Sequence, residues 1–422
     1  MSYEKTNNKI KIFKGGLLID GTGAVPLNQS VVVVEGTKII FIGREQDEYP
    51  YKKDAVEIHH LYGKVIMPGL IDAHIHLWGV RTMDYYHRLV VHEYLGVIRA
   101  AEDVGKLLSA GFTSVRCCGG NKAIHLRQAV LEGTLPGPRI VAANLSITQT
   151  GGFADIHFLP LDEVKRRRLK CRIADGPDEC RKAAREQLRE GADFLKIATT
   201  GGTMSQKDGP FECQMTREEI QAVVEEAERK GSYVAAHAHN PMGVIHALRG
   251  GVRTIEHGKN LDKESCQMMK DHGAILVSTL SISDQIAARG KESGVSPWGL
   301  KKGIAGRESS RRSIKMAYDM GVKVAMGTDY SGAPMLPHGR NARELELLVD
   351  IGFTPMDAIV SSTKIAAEAL GVAVAKETGT LEAGKNADLI VVEGNPIDDI
   401  RILQDHSKIR MVVKGGSLMV ER

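Results

Sequence analysis

Two histidines one residue apart, His74 and His76, close the hydrophobic run VIMPGLIDAHIHLWG at residues 65–79. Further on come Lys196 in FLKIATTGG, His237 and His239 in VAAHAH, His257 in TIEHG and Asp329 in MGTD. Imidazoles and carboxylates hold divalent metals, and a set without thiolates suits zinc, iron, manganese or nickel, with zinc the commonest choice for hydrolysis. On a strand, residues i and i+2 share a face, so His74 and His76 can bind one metal together. His59 and His60 are adjacent, face opposite sides and are read as structural. Taken singly the others also have ordinary readings: a hydrogen-bonded histidine, Asp329 capping a loop, Lys196 in an ion pair. An unpaired lysine beside metal cations is costly, by several kcal/mol on the scale of burying a charge (~5 kcal/mol). Something must neutralise it.

The elements that position these residues follow from the texture of the chain. Residues 9–68 alternate β-rich runs with glycine turns, predicting a small antiparallel sheet, and the same texture returns after about residue 370. Residues 69–371 alternate short apolar runs with Ala-, Glu-, Lys- and Arg-rich helical segments, the pattern of repeated βα units. Eight such runs, from GLIDAHIHL through FTSVRCC, RIVAANLSI and DFLKIAT to KVAMGTD, predict an α/β fold: a (β/α)8 TIM barrel beside a β-sandwich domain made of residues 1–68 and 372–422. In a barrel the active site lies at the C-terminal ends of the strands, where His74, His76, Lys196, His237, His239, His257 and Asp329 fall. TREE at 216–219 is a capping box that opens a helix ending at Gly231. A second helix is read over Glu102–Ala110.

Composition excludes other classes. The 422 residues carry 56 basic and 52 acidic side chains, net +4, too little for a nucleic-acid surface. KRRRLK at 165–170 reads as a solvated surface run. Six cysteines without a CxxC pair predict a reduced, cytoplasmic protein, and no signal-peptide core or long apolar segment points to a membrane. GxSxG and GxxxxGK[ST] are missing, and HEYLG lacks the second histidine of HExxH.

These motifs together resemble the metal-dependent amidohydrolase superfamily. PGLIDAHIHLWG is similar to its PGxIDxHxH signature, and the likeness continues through FLKIATTGG, VAAHAH, TIEHG, MGTD and GTLEAGKNADLIVV. The resemblance implies a binuclear site: His74, His76 and Asp329 on one metal, His237 and His257 on the other. Lys196 would carry carbon dioxide as a carbamate, which turns the repelling cation into a bridging oxygen ligand. A metal-bridging hydroxide would attack an amide carbonyl, with Asp329 as general acid/base. His239 lies one step further toward the mouth than His237, so it is assigned to the substrate carbonyl or carboxylate rather than to metal.

Within the superfamily the chain looks most like the imidazolonepropionase-like group, which includes Xaa-Pro and Xaa-Arg dipeptidases and amidases acting on N-acyl amino acids. TGG at 150–152 and 200–202, and PHGRN after Asp329, carry that likeness. His338 and Arg340 are candidates for a substrate carboxylate, Arg340 equally for a tie to Glu344. Where many relatives have histidine this chain has Phe153, which implies a more apolar pocket. The competing readings are a one-metal cyclic-amide hydrolase or deaminase, a lactone or ester hydrolase on the same site, and a non-catalytic scaffold. A small-molecule substrate and a homo-oligomer complete the expectation.

Overall fold

The computed structural model describes residues 10–48, 56–168 and 170–422. The N-terminal residues 1–9, on which the signal-peptide reading rests, lie outside them, as does Leu169 of the basic run. The chain opens with five strands: β1 (Ile10–Leu18), β2 (Leu27–Glu35), β3 (Lys38–Arg44), β4 (Val56–His60) and β5 (Lys64–Pro68). Ten follow between residues 70 and 325: β6 (Leu70–Ile75), β7 (Phe112–Cys117), β8 (Arg139–Ala142), β9 (Ser146–Thr148), β10 (Cys171–Ile173), β11 (Leu195–Ala198), β12 (Val234–Ala238), β13 (Thr254–His257), β14 (Ile275–Val277) and β15 (Lys323–Ala325). Three close the chain: β16 (Leu389–Glu393), β17 (Ile409–Lys414) and β18 (Ser417–Glu421).

Both chain ends enter one eight-stranded sheet, in the order β18-β17-β16-β5-β1-β2-β3 with β4 also on β1. The expectation of an antiparallel sheet needs correcting here, because β1 runs parallel to both β4 and β5. β2 is buried on both faces: Val32 and Val34 enter a cluster that also contains Leu389 and Val413 from the far end of the chain, while Val31 and Val33 pack with Ile10 and Ile12. The first of these cores explains why the two ends read alike: each supplies apolar strand faces that the other covers.

The middle strands are all parallel, in a seven-stranded sheet β10-β9-β11-β12-β13-β14-β15 and a three-stranded sheet β6-β7-β8. The sheets meet at both edges. RIVAANLSI is one run broken into β8 and β9 by Asn144, whose φ of 61° bends the chain, so its first half pairs with β7 and its second with β10 and β11. At the other edge the N–H of Ala73 donates to the Met326 carbonyl at 3.0 Å, that of Asp329 to His74 at 2.7 Å and that of His76 to Tyr330 at 2.8 Å. Glycine is required there, since a Cβ on Gly327 would fall 2.8 Å from that of His74.

Helices cover the outside. Arg217–Arg229 starts at the expected capping box, with Thr216 and Glu219 bonded reciprocally, and Gly231 follows it at a φ of 66°. The helix expected at Glu102–Ala110 starts earlier and runs Glu93–Ser109. All six cysteines are free, and no described helix is long and apolar enough to cross a membrane.

Candidate active site

Strand ends bring the site together, and three of them leave extended geometry to do it. His257, Thr279 and Asp329 have φ values of 75°, 55° and 58°, left-handed backbone that costs a non-glycine residue about 1–3 kcal/mol. The turn at His257 lets it and its neighbour Glu256 approach the same ring. Glu256 Oε2 lies 2.6 Å from His74 Nδ1, and the His257 ring centre is 4.9 Å from that of His74. His237 lies 4.7 Å from His257 and 4.3 Å from His239, centre to centre.

Each of four imidazoles has one nitrogen engaged. His74 Nδ1 meets Glu256, His76 Nδ1 meets the Gly119 carbonyl at 3.2 Å, His237 Nε2 meets the Gly201 carbonyl at 3.4 Å, and His257 Nδ1 meets Thr279 Oγ1 at 2.8 Å. Carbonyl and carboxylate oxygens only accept, so in the first three the engaged nitrogen carries the proton and the other bears a lone pair. His76 Nε2 and His74 Nε2 then face Asp329 Oδ1 at 3.0 and 3.7 Å. Lone pairs turned on a carboxylate repel unless a cation lies among them, which is the donor set of a metal site. The ligand atoms of His74, His257 and Asp329 all lie within 4.8 Å of one another.

Electrostatics agree with that reading. Burial, reinforced by Lys196, holds His74 down to about 4 and His237 well below an ordinary imidazole. Burial with the surrounding imidazoles does the same for His257, so all three are neutral at pH 7, as candidate ligands must be. Burial pushes Asp329 up, yet its carboxyl stands at about 2 and so is ionised. A second grouping, His74, Cys118 and Glu256, is equally compact. It is the poorer donor set, because burial raises the Cys118 thiol far above neutrality and Glu256 is already ion-paired to Arg116 at 2.7 Å.

Lys196 is 2% exposed and its Nζ has no hydrogen-bond partner. Burial lowers its pKa despite the carboxylate of Glu256 nearby. Around these groups opens a cleft of about 1170 Å³ with aromatic and aliphatic walls, among them Trp78, Phe153, Phe158, Ile282 and Trp298.

A model of the amidohydrolase family matches residues 65–419. The chain belongs to the amidohydrolase family. It is 34% identical to an ochratoxinase of Aspergillus niger over 97% of this chain and 86% of that one. It superimposes on a prolidase solved with N-methylphosphonate-L-proline with a TM-score of 0.89 at 32% identity, covering 98% and 100% of the two chains. A Xaa-Pro dipeptidase with methionine in its active site gives 0.88 at 33%, over 97% and 99%. This amidohydrolase is therefore an enzyme acting on carbon–nitrogen bonds, in a family that is generally metal-dependent.

The amidohydrolase cleft brings together His74, His76, Lys196, His237, His239, His257 and Asp329, with Phe153 on its wall. Phe153 stacks on His237 at 3.8 Å between ring centres, and Gly202 must be glycine because a Cβ would sit 2.3 Å from the Phe153 ring. Two expected substrate residues are not brought there. His338 is buried behind the site with Nε2 3.1 Å from the His76 carbonyl, a support for that strand end. Arg340 lies on the surface with Nη1 3.5 Å from the Gln404 carbonyl, beside Glu346 and His406. Nor is it tied to Glu344, which accepts instead from Ser278 and the N–H groups of Leu280 and Ser281.

Sequence reasoning missed Glu256 and Arg116, which lie under His74, and Lys259, Arg88 and Lys170 on the cleft walls. Glu256 stands in the quoted TIEHG, but strict alternation turns it away from its histidine neighbour. Lys170 was read with the solvated basic run; instead it leaves that run, half-buried, with Nζ 2.6 Å from Tyr85 Oη.

Proposed function

We propose that this amidohydrolase cleaves the amide bond of an N-acyl amino acid or dipeptide at a two-metal centre. One observation carries the reading: His74 and His76, each with Nδ1 engaged, turn their free Nε2 atoms toward Asp329, in a cleft that also holds a buried amine without a partner. His74, His76 and Asp329 would hold one divalent ion, zinc for hydrolytic chemistry, and His237 and His257 the other. Lys196 fits the position between the two sets as a carbamate: burial lowers the pKa of the amine and so favours the unprotonated form that reacts with carbon dioxide, and the product is an anion where a cation is unfavourable. When bound, the ions would acidify water and polarise the carbonyl.

The chain's own residues do the rest. Asp329 takes the proton of the attacking water and returns it to the departing amine. His239, 2% exposed with Nδ1 unpartnered and its ring 5.1 Å from His257, donates to the substrate carbonyl oxygen. Phe153, stacked on His237, excludes water from that imidazole and offers an apolar wall to the acyl group. The prolidase solved with a proline phosphonate and the Xaa-Pro dipeptidase solved with methionine support an amide with an amino acid on one side. We read the matching fold as a (β/α)8 barrel over the described residues of 69–371, beside a β domain to which the described residues of 1–68 and 372–422 contribute.

The test is metal content together with a screen of N-acyl amino acids and dipeptides on zinc-loaded enzyme. Two metal equivalents and C–N cleavage are expected, with activity lost in Lys196→Ala and partly restored by short carboxylic acids. One equivalent would move the site to the one-metal class, and turnover of lactones or phosphotriesters without amide cleavage would end the peptidase-like reading.

A further inference from the structure

Besides the Lys196 amine, three basic side chains line the cleft without an ion-pair partner among the described residues: Lys259, Arg88 and Lys170. Lys259 is 5% exposed, and its Nζ donates to Thr203 Oγ1 at 2.7 Å. The N–H of the next residue, Asn260, donates to the His239 carbonyl at 2.8 Å, which places Lys259 at the His239 side of the centre. Arg88 and Lys170 sit elsewhere, on Trp78 and Tyr85. Lys170 Nζ is 5.0 Å from the Trp78 ring centre and 4.2 Å from that of Tyr85, and the Arg88 guanidinium is 5.7 and 5.3 Å from the same rings. Trp78 is itself fixed, stacked on His76 at 4.1 Å with Nε1 donating to the Gly119 carbonyl. The cleft's own carboxylates are committed: Asp329 faces His74 and His76, and Asp155 accepts from the Gly151 N–H.

Two separate cationic places in one largely apolar cleft call for two anionic groups on the ligand. Arg88 donates from Nε to the Thr82 carbonyl at 2.9 Å and from Nη2 to Met83 Sδ at 3.1 Å, and Lys170 donates one N–H to Tyr85 Oη, which leaves Arg88 Nη1 and the other ammonium hydrogens of Lys170 to meet an oxygen anion; a partly desolvated cation gains most from an anion that arrives with the substrate. We infer that the substrate carries an acidic group on each side of its scissile amide: the leaving amino acid's carboxylate at Lys259, and an acid on an aromatic acyl group at Arg88 and Lys170. Trp78, Tyr85 and Phe158 supply the flat apolar surface for such an acyl group. Arg88 and Lys170 also line a second cavity of about 1380 Å³, so the acidic group lies where the two cavities meet and larger substituents have room beyond it.

The inference rests on the amide-hydrolase reading, and the experiment separates the two. Metal-loaded enzyme is assayed on N-(3-carboxybenzoyl)-L-phenylalanine and N-benzoyl-L-phenylalanine. The expected kcat/KM ratio is about tenfold or more in favour of the diacid, the worth of one charge-assisted hydrogen-bonded pair. In Arg88→Gln/Lys170→Gln the ratio drops toward one, and Lys170→Arg alone retains most of it. Lys259→Gln lowers kcat/KM for both substrates alike and so keeps the ratio. An unchanged ratio in the double variant overturns the assignment. Calorimetric binding of isophthalate against benzoate repeats the comparison without turnover. If neither amide is cut, the hydrolase reading fails, while a preference for isophthalate that the double variant loses still upholds the anion site; equal binding of both acids overturns it.

Discussion

Glu256→Gln is the substitution that best tests how the centre is built. Glu256 is fully buried and accepts from three donors: Arg116 Nη2 at 2.7 Å and Thr254 Oγ1 at 2.6 Å on Oε1, and His74 Nδ1 at 2.6 Å on Oε2. Glutamine is isosteric but has one oxygen. Two donors compete for the Oε1 position, so the amide oxygen goes there and its NH2 faces His74 Nδ1. That nitrogen must then accept, the proton moves to Nε2, and the nitrogen facing Asp329 is no longer a ligand. Loss of such support costs about 10–100-fold in metal affinity, and a hundredfold loss removes about 2.7 kcal/mol of the stability that saturating metal confers. Independently of metal, Arg116 loses its only ion-pair partner among the described residues, which costs about 3–5 kcal/mol. The two effects separate in urea denaturation with and without chelator. Metal-free enzyme reports the broken pair, and the further loss in metal-loaded enzyme reports the tautomer. If the variant gains as much stability from metal as the wild type does, the tautomer argument is wrong even though the protein is weakened.

Three further outcomes are expected. Lys302 Nζ donates to the carbonyls of Gly202, Ser205 and Asp208 at 2.9, 2.6 and 2.6 Å and so straps one wall of the cleft; Lys302→Met should raise KM more than it lowers kcat and speed hydrogen exchange over residues 202–208, and unchanged exchange would show the strap is not needed. Phe153→Ala removes the ring stacked on His237 and should lower kcat/KM for an N-benzoyl amino acid by about tenfold, the scale of one aromatic contact, while an N-acetyl substrate loses less; equal losses would place the effect on His237 instead. Glu226 accepts from Arg185, Arg181 and Arg229, which hold it down to about 2. A depressed carboxyl stabilises the fold above its unfolded value of 4.5, and the contribution is lost as pH falls through 2. Glu226→Gln should therefore cost about 1 kcal/mol at pH 7, a difference that shrinks steadily below pH 4.5; a constant difference down to pH 3 would refute the ionic origin.

What was legible in the sequence, and what was not, divides along backbone geometry. HxH on β6 and on β12 obeys the two-residue period, so His74 and His76, and His237 and His239, could be assigned to shared faces from spacing alone. Periodicity likewise put each of the eight expected runs on a strand, one of them on the pair β8 and β9, but gave no sign of β10 at Cys171–Ile173. It failed where the chain departs from extended conformation. The bend at Asn144 splits one expected strand into β8 and β9, and the left-handed turn at His257 lets Glu256 and His257 reach the same imidazole although they are adjacent. No residue-type rule announces such turns, because asparagine, histidine, threonine and aspartate adopt them here only where surrounding hydrogen bonds repay the strain. Arg340 shows the converse. Its position two residues after His338 suggested a shared role, yet the glycine between them, at a φ of 93°, sends Arg340 to the surface while His338 stays beneath His76. The cations that do line the cleft, Lys259, Arg88 and Lys170, come from loops and a short helix whose course depends on what they pack against. Metal ligands on strands are thus written in local spacing, whereas the groups that select a substrate are written in tertiary packing. That is why the centre could be assembled from motifs and the specificity could be argued only once Trp78, Tyr85 and the two cations beside them were seen together.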